Sequence, residues 1–132
     1  MSLINRNTDY AIRAICFMVE NNKNKTSVTD LVQGLKIPRP FLRKILQKLN
    51  KKRILKSYKG KNGGFILNDS PERIFLIDLM RIFQGRLKLS ECLFRRKICP
   101  NIKTCSLGGK LAEIEKHVVS ELGSISIASL LR

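Results

Sequence analysis

The sequence predicts a mainly α fold with a small β-wing: a winged helix-turn-helix plus a long C-terminal dimerisation helix. Three observations carry this. Two short helical stretches meet at residues 34–38, and the second is basic on its outer face. Two β-compatible runs around GKNGG follow at once. A long apolar stripe at helical spacing lies near the end of the chain.

The first helix is expected over residues 8–21, where Ala11, Ala14, Ile15 and Met18 recur at helical spacing. Thr8 or Asp9 is the expected cap. Cys16, mid-helix among apolar neighbours, reads as a core cysteine. After the polar loop NNKNKTS, Thr26, Ser27 or Thr29 can cap a short helix VTDLVQGL, with Gly34 helping to end it. Pro38 suits the first turn of a third helix through FLRKILQKLN. At about 100° per residue, Leu42, Ile45, Leu46 and Leu49 share one face, and Pro40, Arg43, Lys44, Gln47 and Lys51 the other.

The runs 54–58 and 65–67 then read as a hairpin, with Asn62-Gly63 expected at its turn. Coming straight after a basic helix, this hairpin is a wing. Ser70-Pro71-Glu72 opens a further helix that Gly85 stops. Leu107, Leu111, Ile114, Val118 and Leu122 form the final stripe, which suits a dimer surface. The tail SISIASLLR fits either helix or strand. The expected division is 1–85 for the DNA-binding domain, 86–108 for a cysteine-bearing loop and 109–132 for the dimerisation helix and tail.

Charge indicates the partner. The chain has 26 basic and 10 acidic residues, a net charge of +16. The excess is clustered: between Asp30 and Asp69 no acidic residue occurs, against eleven basic ones. A polyanion, double-stranded DNA, is the expected partner. In the helix-turn-helix layout, Arg39, Pro40, Arg43 and Lys44 are best placed for base edges. Lys48, Lys51 and Lys52 suit phosphates, and Lys59 and Lys61 on the wing suit a phosphate or a narrow minor groove. A basic RNA- or ribosome-associated protein is the competing class, which weak sequence dependence and a steep salt slope would mark. No apolar stretch is long enough to span a membrane and no signal peptide is recognisable, so a cytoplasmic location, with reduced thiols, is expected.

Three of the four cysteines, Cys92, Cys99 and Cys105, are spaced C-x6-C-x5-C. Thiolates grouped this way bind soft metals or iron–sulfur clusters. Zinc sites usually show closer C-x2–4-C pairs. Spacing alone leaves three readings open: a cluster completed by another residue, a thiol switch, or zinc. Arg95, Arg96, Lys97 and Lys103 would favour the thiolate form, and Pro100 stiffens the segment. The single histidine, His117, sits mid-helix without a catalytic partner, and no phosphate loop or nucleophile elbow occurs. No enzymatic activity and no small-molecule substrate are expected.

Several strings carry a resemblance: TDYAIRAI, IPRPFLRKILQKL, SYKGKNGGFIL and the cysteine spacing. Together they resemble the IscR/NsrR-type family of bacterial winged-helix regulators over nearly the whole chain. The resemblance implies a homodimer on a palindromic operator. It also implies an iron–sulfur cluster, 2Fe-2S preferred and 4Fe-4S the alternative, with Cys92, Cys99 and Cys105 as ligands. The signal would be iron–sulfur status, redox state or nitric oxide.

Four departures qualify the match. Lys59 stands where the family usually has arginine, and Phe65 where it has tyrosine. Gly108 stands where the biogenesis regulators carry a histidine ligand. Arg43 stands where those regulators place a glutamate. Asp9 matches the aspartate with which nitric-oxide sensors complete the cluster, so it is the candidate fourth ligand; Asn5, Asn7, Glu91 and solvent are the alternatives.

Overall fold

The computed structural model describes residues 3–21, 25–89 and 106–131. Cys92, Cys99, Cys105, Glu91, Pro100 and the basic residues between them lie outside the described residues.

Helix α1 (Arg6–Asn21) starts two residues before the expected position. The cap is Asn5, whose Oδ1 accepts the Thr8 N–H at 2.8 Å. Thr8 cannot cap, because it is fully buried and engaged elsewhere. Its hydroxyl lies 2.7 Å from Gln84 Oε1 and 2.8 Å from Asn5 Oδ1. Helix α2 (Val28–Leu35) opens on Ser27 in a reciprocal capping box with Asp30, contacts of 3.1 Å each way. Gly34 does not end it. Lys36, left-handed at φ 58°, does so, donating its N–H to Val32 O. Gly34 is needed for packing instead: a Cβ there would sit 2.2 Å from the Phe17 ring.

Helix α3 (Arg39–Lys51) follows Pro38, which is its cap, while Pro40 occupies the first turn. The four apolar residues expected on one face are all buried. Each such burial contributes roughly 1.5–3 kcal/mol, which holds a helix whose other face is cationic. The helix stops at Arg53, again left-handed (φ 62°). Arg53 N–H donates to Asn50 O and Ile54 N–H to Leu49 O, the paired bonds of a Schellman end. A non-glycine residue there costs about 1–2 kcal/mol. Asn68 offsets this by donating its side-chain amide to Arg53 O at 3.0 Å.

Strands β1 (Leu55–Tyr58) and β2 (Gly64–Leu67) pair antiparallel, Leu55 opposite Leu67 and Tyr58 opposite Gly64. The turn differs from the expected Asn62-Gly63 pair. Residues 59–63 form a longer loop, in which Gly60 takes the positive φ (110°) and accepts the Gly63 N–H. Thr26 adds a one-residue third strand, exchanging both backbone bonds with Phe65.

Ser70-Pro71-Glu72 opens only a single 3-10 turn (Pro71–Arg73), not the expected continuous helix. Extended Ile74 and Phe75 follow, because they pair with the tail: Leu76 N–H donates to Ile125 O and Ile127 N–H to Ile74 O. Helix α4 (Leu76–Gln84) then runs to Gly85, which takes φ 76° as expected of its end. Helix α5 (Ser106–Gly123) precedes that pairing, and α6 (Ile127–Leu130) follows it. The tail is thus both a bridge and a helical turn.

The main core gathers α1, α2, α3, β1, Ile74, Leu79 and Ile127. A second, smaller cluster joins α4 to the end of α5 through Leu76, Ile77, Met80 and Leu122. Cys16 is half-buried against the main core rather than inside it.

Candidate nucleic-acid interface and cysteine segment

Helix α3 presents its polar face to solvent: Arg39, Pro40, Arg43, Lys44, Gln47 and Lys51 are all exposed. Arg39 is held in place, since its Nη2 donates to the Thr29 hydroxyl at 3.1 Å. Thr29 therefore holds the Arg39 side chain rather than capping α2, a contact that residue type alone did not signal.

The face has two flanks. Gln47 and Asn50 line a cleft of about 510 Å³ shared with Ser27, Val28 and the wing residues Ser57, Tyr58, Lys59, Gly60, Gly63, Gly64 and Phe65. Lys44 and Lys48 line a cleft of about 390 Å³ on the opposite side, with Asn7, Phe41, Ile45 and Phe83. Lys59 and Lys61 are exposed at the wing tip. Gly63 is required there, as a Cβ would stand 2.5 Å from Tyr58 O. Around the wing the structure groups cations that the sequence pattern did not link: Lys25 Nζ is 4.5 Å and Lys56 Nζ 5.5 Å from the Tyr58 ring centroid.

Asp9 is on the exposed side of α1, where its carboxylate accepts from Arg13 Nε at 3.0 Å. Asn5 is committed to structure through Thr8, Gln84 and Phe83 O. His117 is exposed on α5. Burial pushes the Cys16 thiol above its ordinary pKa, and the Glu20 carboxylate adds to this, so the thiol stays protonated and unreactive at neutral pH.

Described residues flank the cysteine segment on both sides. Leu89 N–H donates to Glu115 Oε1 at 3.0 Å, and α5 begins at Ser106, the residue after Cys105. Among the described residues, no three histidine, cysteine or acidic side chains gather into a metal site. The apolar stripe of α5 is graded. Leu122 is buried by α4, whereas Ile114 and Leu107 are 51% and 68% exposed. Among the described residues, no helix is long and apolar enough to cross a membrane.

Recognition helix, wing and basic surface define a winged-helix transcriptional regulator. Residues 4–132 match the family model Rrf2, described as an iron-dependent transcriptional regulator, and the chain belongs to that family. The HTH-type transcriptional regulator NsrR of Shouchella clausii is 29% identical over 125 residues, 87% of this chain and 84% of that protein. Two solved structures share the fold at 20% identity. CymR, the global cysteine regulator of B. subtilis, superposes with a TM-score of 0.79 over 98% of this chain and 96% of that one. IscR of T. potens gives 0.74 over 98% and 85%.

Proposed function

We propose that this chain is a homodimeric regulator whose affinity for a palindromic DNA operator is set by an iron–sulfur cluster on Cys92, Cys99 and Cys105. The observation that carries the proposal is the position of those thiols. Three cysteines fall within fourteen residues that lead directly into α5, in a chain of an iron-dependent regulator family. The donor set fits: three soft thiolates suit a cluster, and the C-x2–4-C pairs of zinc sites are missing from the sequence. When bound, the cluster would supply a centre that is modified or lost in response to redox state, nitric oxide or iron–sulfur demand.

The chain's own residues would convert that change into altered DNA affinity. Residues 1–85 act as the DNA-binding head, 86–108 as the cluster-bearing segment and 109–132 as dimerisation helix and tail. The stripe of exposed Leu107 and Ile114 with half-buried Leu111 packs on a second copy, fixing the distance between two recognition helices. Glu115 ties the start of the cysteine segment to this same helix. A rearrangement of the segment therefore bears on the dimer helix and on the spacing of the heads. Asp9 is proposed as fourth ligand, which requires it to leave Arg13.

Arg39, Pro40, Arg43, Lys44 and Gln47 read the major groove. Lys51, Lys59 and Lys61 hold phosphate or the minor groove.

A second reading, with the thiols as a redox switch or a zinc site, is favoured by Gly108, which removes the histidine that biogenesis regulators use. Metal analysis separates the two. Iron and acid-labile sulfide in anaerobically purified protein, both lost on Cys→Ala at 92, 99 or 105, support the cluster. One zinc per chain with no iron supports the second reading, as does metal-free protein after anaerobic reconstitution.

A further inference from the structure

We infer that Tyr58, Lys25 and Lys56 form a second phosphate-binding platform, which grips the DNA backbone beside the wing and apart from the base-reading face. The inference rests on the DNA-binding reading above and adds residues to it. Lys56 and Tyr58 are two apart on β1 and so share a face of the hairpin. The position opposite Tyr58 is Gly64, which has no side chain to cover the ring. Thr26, paired with Phe65, brings Lys25 to the same sheet from the other side. Both ammonium groups consequently settle on one ring, at 4.5 and 5.5 Å from its centroid.

Two cations on one ring lie within about a Debye length, ~10 Å at 0.1 M salt, and repel each other. Cation–π attraction at exposed sites, about 0.5–1 kcal/mol each, holds them together. An anion between them relieves the repulsion. Tyr58 also lines the cleft between the wing and α3, so the ring that carries the two cations borders the face proposed to read DNA. The anion that fits this place is a backbone phosphate.

The test is the salt dependence of binding to a random-sequence duplex, measured by fluorescence anisotropy. Lys25→Ala and Lys56→Ala should each lower the slope of log K against log salt by about 0.9. Each should weaken operator and random duplexes by the same factor. Tyr58→Phe should behave as wild type. In a Tyr58→Leu background, Lys25→Ala should cost less affinity than it does in wild type, because the ring no longer places the cation. Unchanged slopes in both lysine variants would overturn the platform, as would an equal Lys25→Ala effect in the two backgrounds. If Tyr58→Leu does not fold by circular dichroism, Lys25→Gln and Lys56→Gln slopes decide alone. A wild-type protein without salt-dependent duplex binding would instead defeat the DNA-binding reading itself.

Discussion

The backbone N–H of Leu89 donates to the carboxylate of Glu115 at 3.0 Å, joining the entrance of the cysteine segment to the middle of α5. The segment leaves the described structure beside one turn of that helix and returns at its first residue, Ser106. From Ser106 to Glu115 the helix rises about 1.5 Å per residue. A hydrogen bond to a charged acceptor contributes about 1.5–3 kcal/mol when shielded and less when exposed. Glu115→Ala is expected to speed the loss of visible absorption in air, while Glu115→Gln, which keeps an acceptor, loses it more slowly. Equal decay in both variants and wild type would mean that this anchor does not guard the centre.

Thr8 and Gln84 tie the start of α1, where Asp9 lies, to the end of α4, where the chain turns into the cysteine segment. Gln84 Oε1 also accepts the Asn5 N–H, and its Nε2 donates to Leu3 O. Gln84→Leu strands part-buried partners at each of these positions, so a loss of about 1–3 kcal/mol is expected in urea unfolding. Thr8→Val removes one hydroxyl and keeps the shape, and should cost about 1 kcal/mol. A larger loss for Thr8→Val than for Gln84→Leu would contradict this ranking.

On α3, Arg43 and Lys51 should separate two kinds of contact. Arg43→Ala is expected to relax selectivity at one base pair, by about 1–3 kcal/mol. Lys51→Ala should weaken all duplexes alike and lower the salt slope by about one. Competition binding against single-base operator variants reads both; equal losses on specific and random duplexes for both changes would remove the distinction.

The exposed half of α5 makes a prediction about assembly. Ile114 is 51% exposed and outside both core clusters, so Ile114→Glu should leave the thermal unfolding of the head intact. The same change should give monomers in sedimentation velocity. A variant that remains dimeric would place the interface elsewhere.

Periodicity made much of this legible. The buried face of α3 was readable in full, because Leu42, Ile45, Leu46 and Leu49 repeat without exception. The stripe on α5 was equally plain, but its gradient was not: only α4, distant in sequence, decides that Leu122 is covered and Leu107 is not. Misplaced boundaries have local chemical causes. Asn5 outcompetes Thr8 as cap because Thr8 is drawn inward to Gln84. Two helices end on Lys36 and Arg53, residues that composition does not mark as left-handed. Ser70-Pro71-Glu72 has the signature of a helix start, yet pairing of Ile74 and Phe75 with the tail holds the chain extended. At the candidate site, the individual cations were readable. Their grouping by Thr29 and Tyr58 was not, since it depends on side chains meeting across elements.

If the centre proposed on Cys92, Cys99 and Cys105 sets DNA affinity, removing it must change binding. The direct measurement is anaerobic binding to duplexes selected from a random pool by the iron-loaded protein, repeated after the iron is removed and after it is restored. A tenfold or greater change in Kd, about 1.4 kcal/mol, is expected, reversing on restoration and not occurring in Cys99→Ala. Identical affinities for the loaded and stripped protein would contradict it.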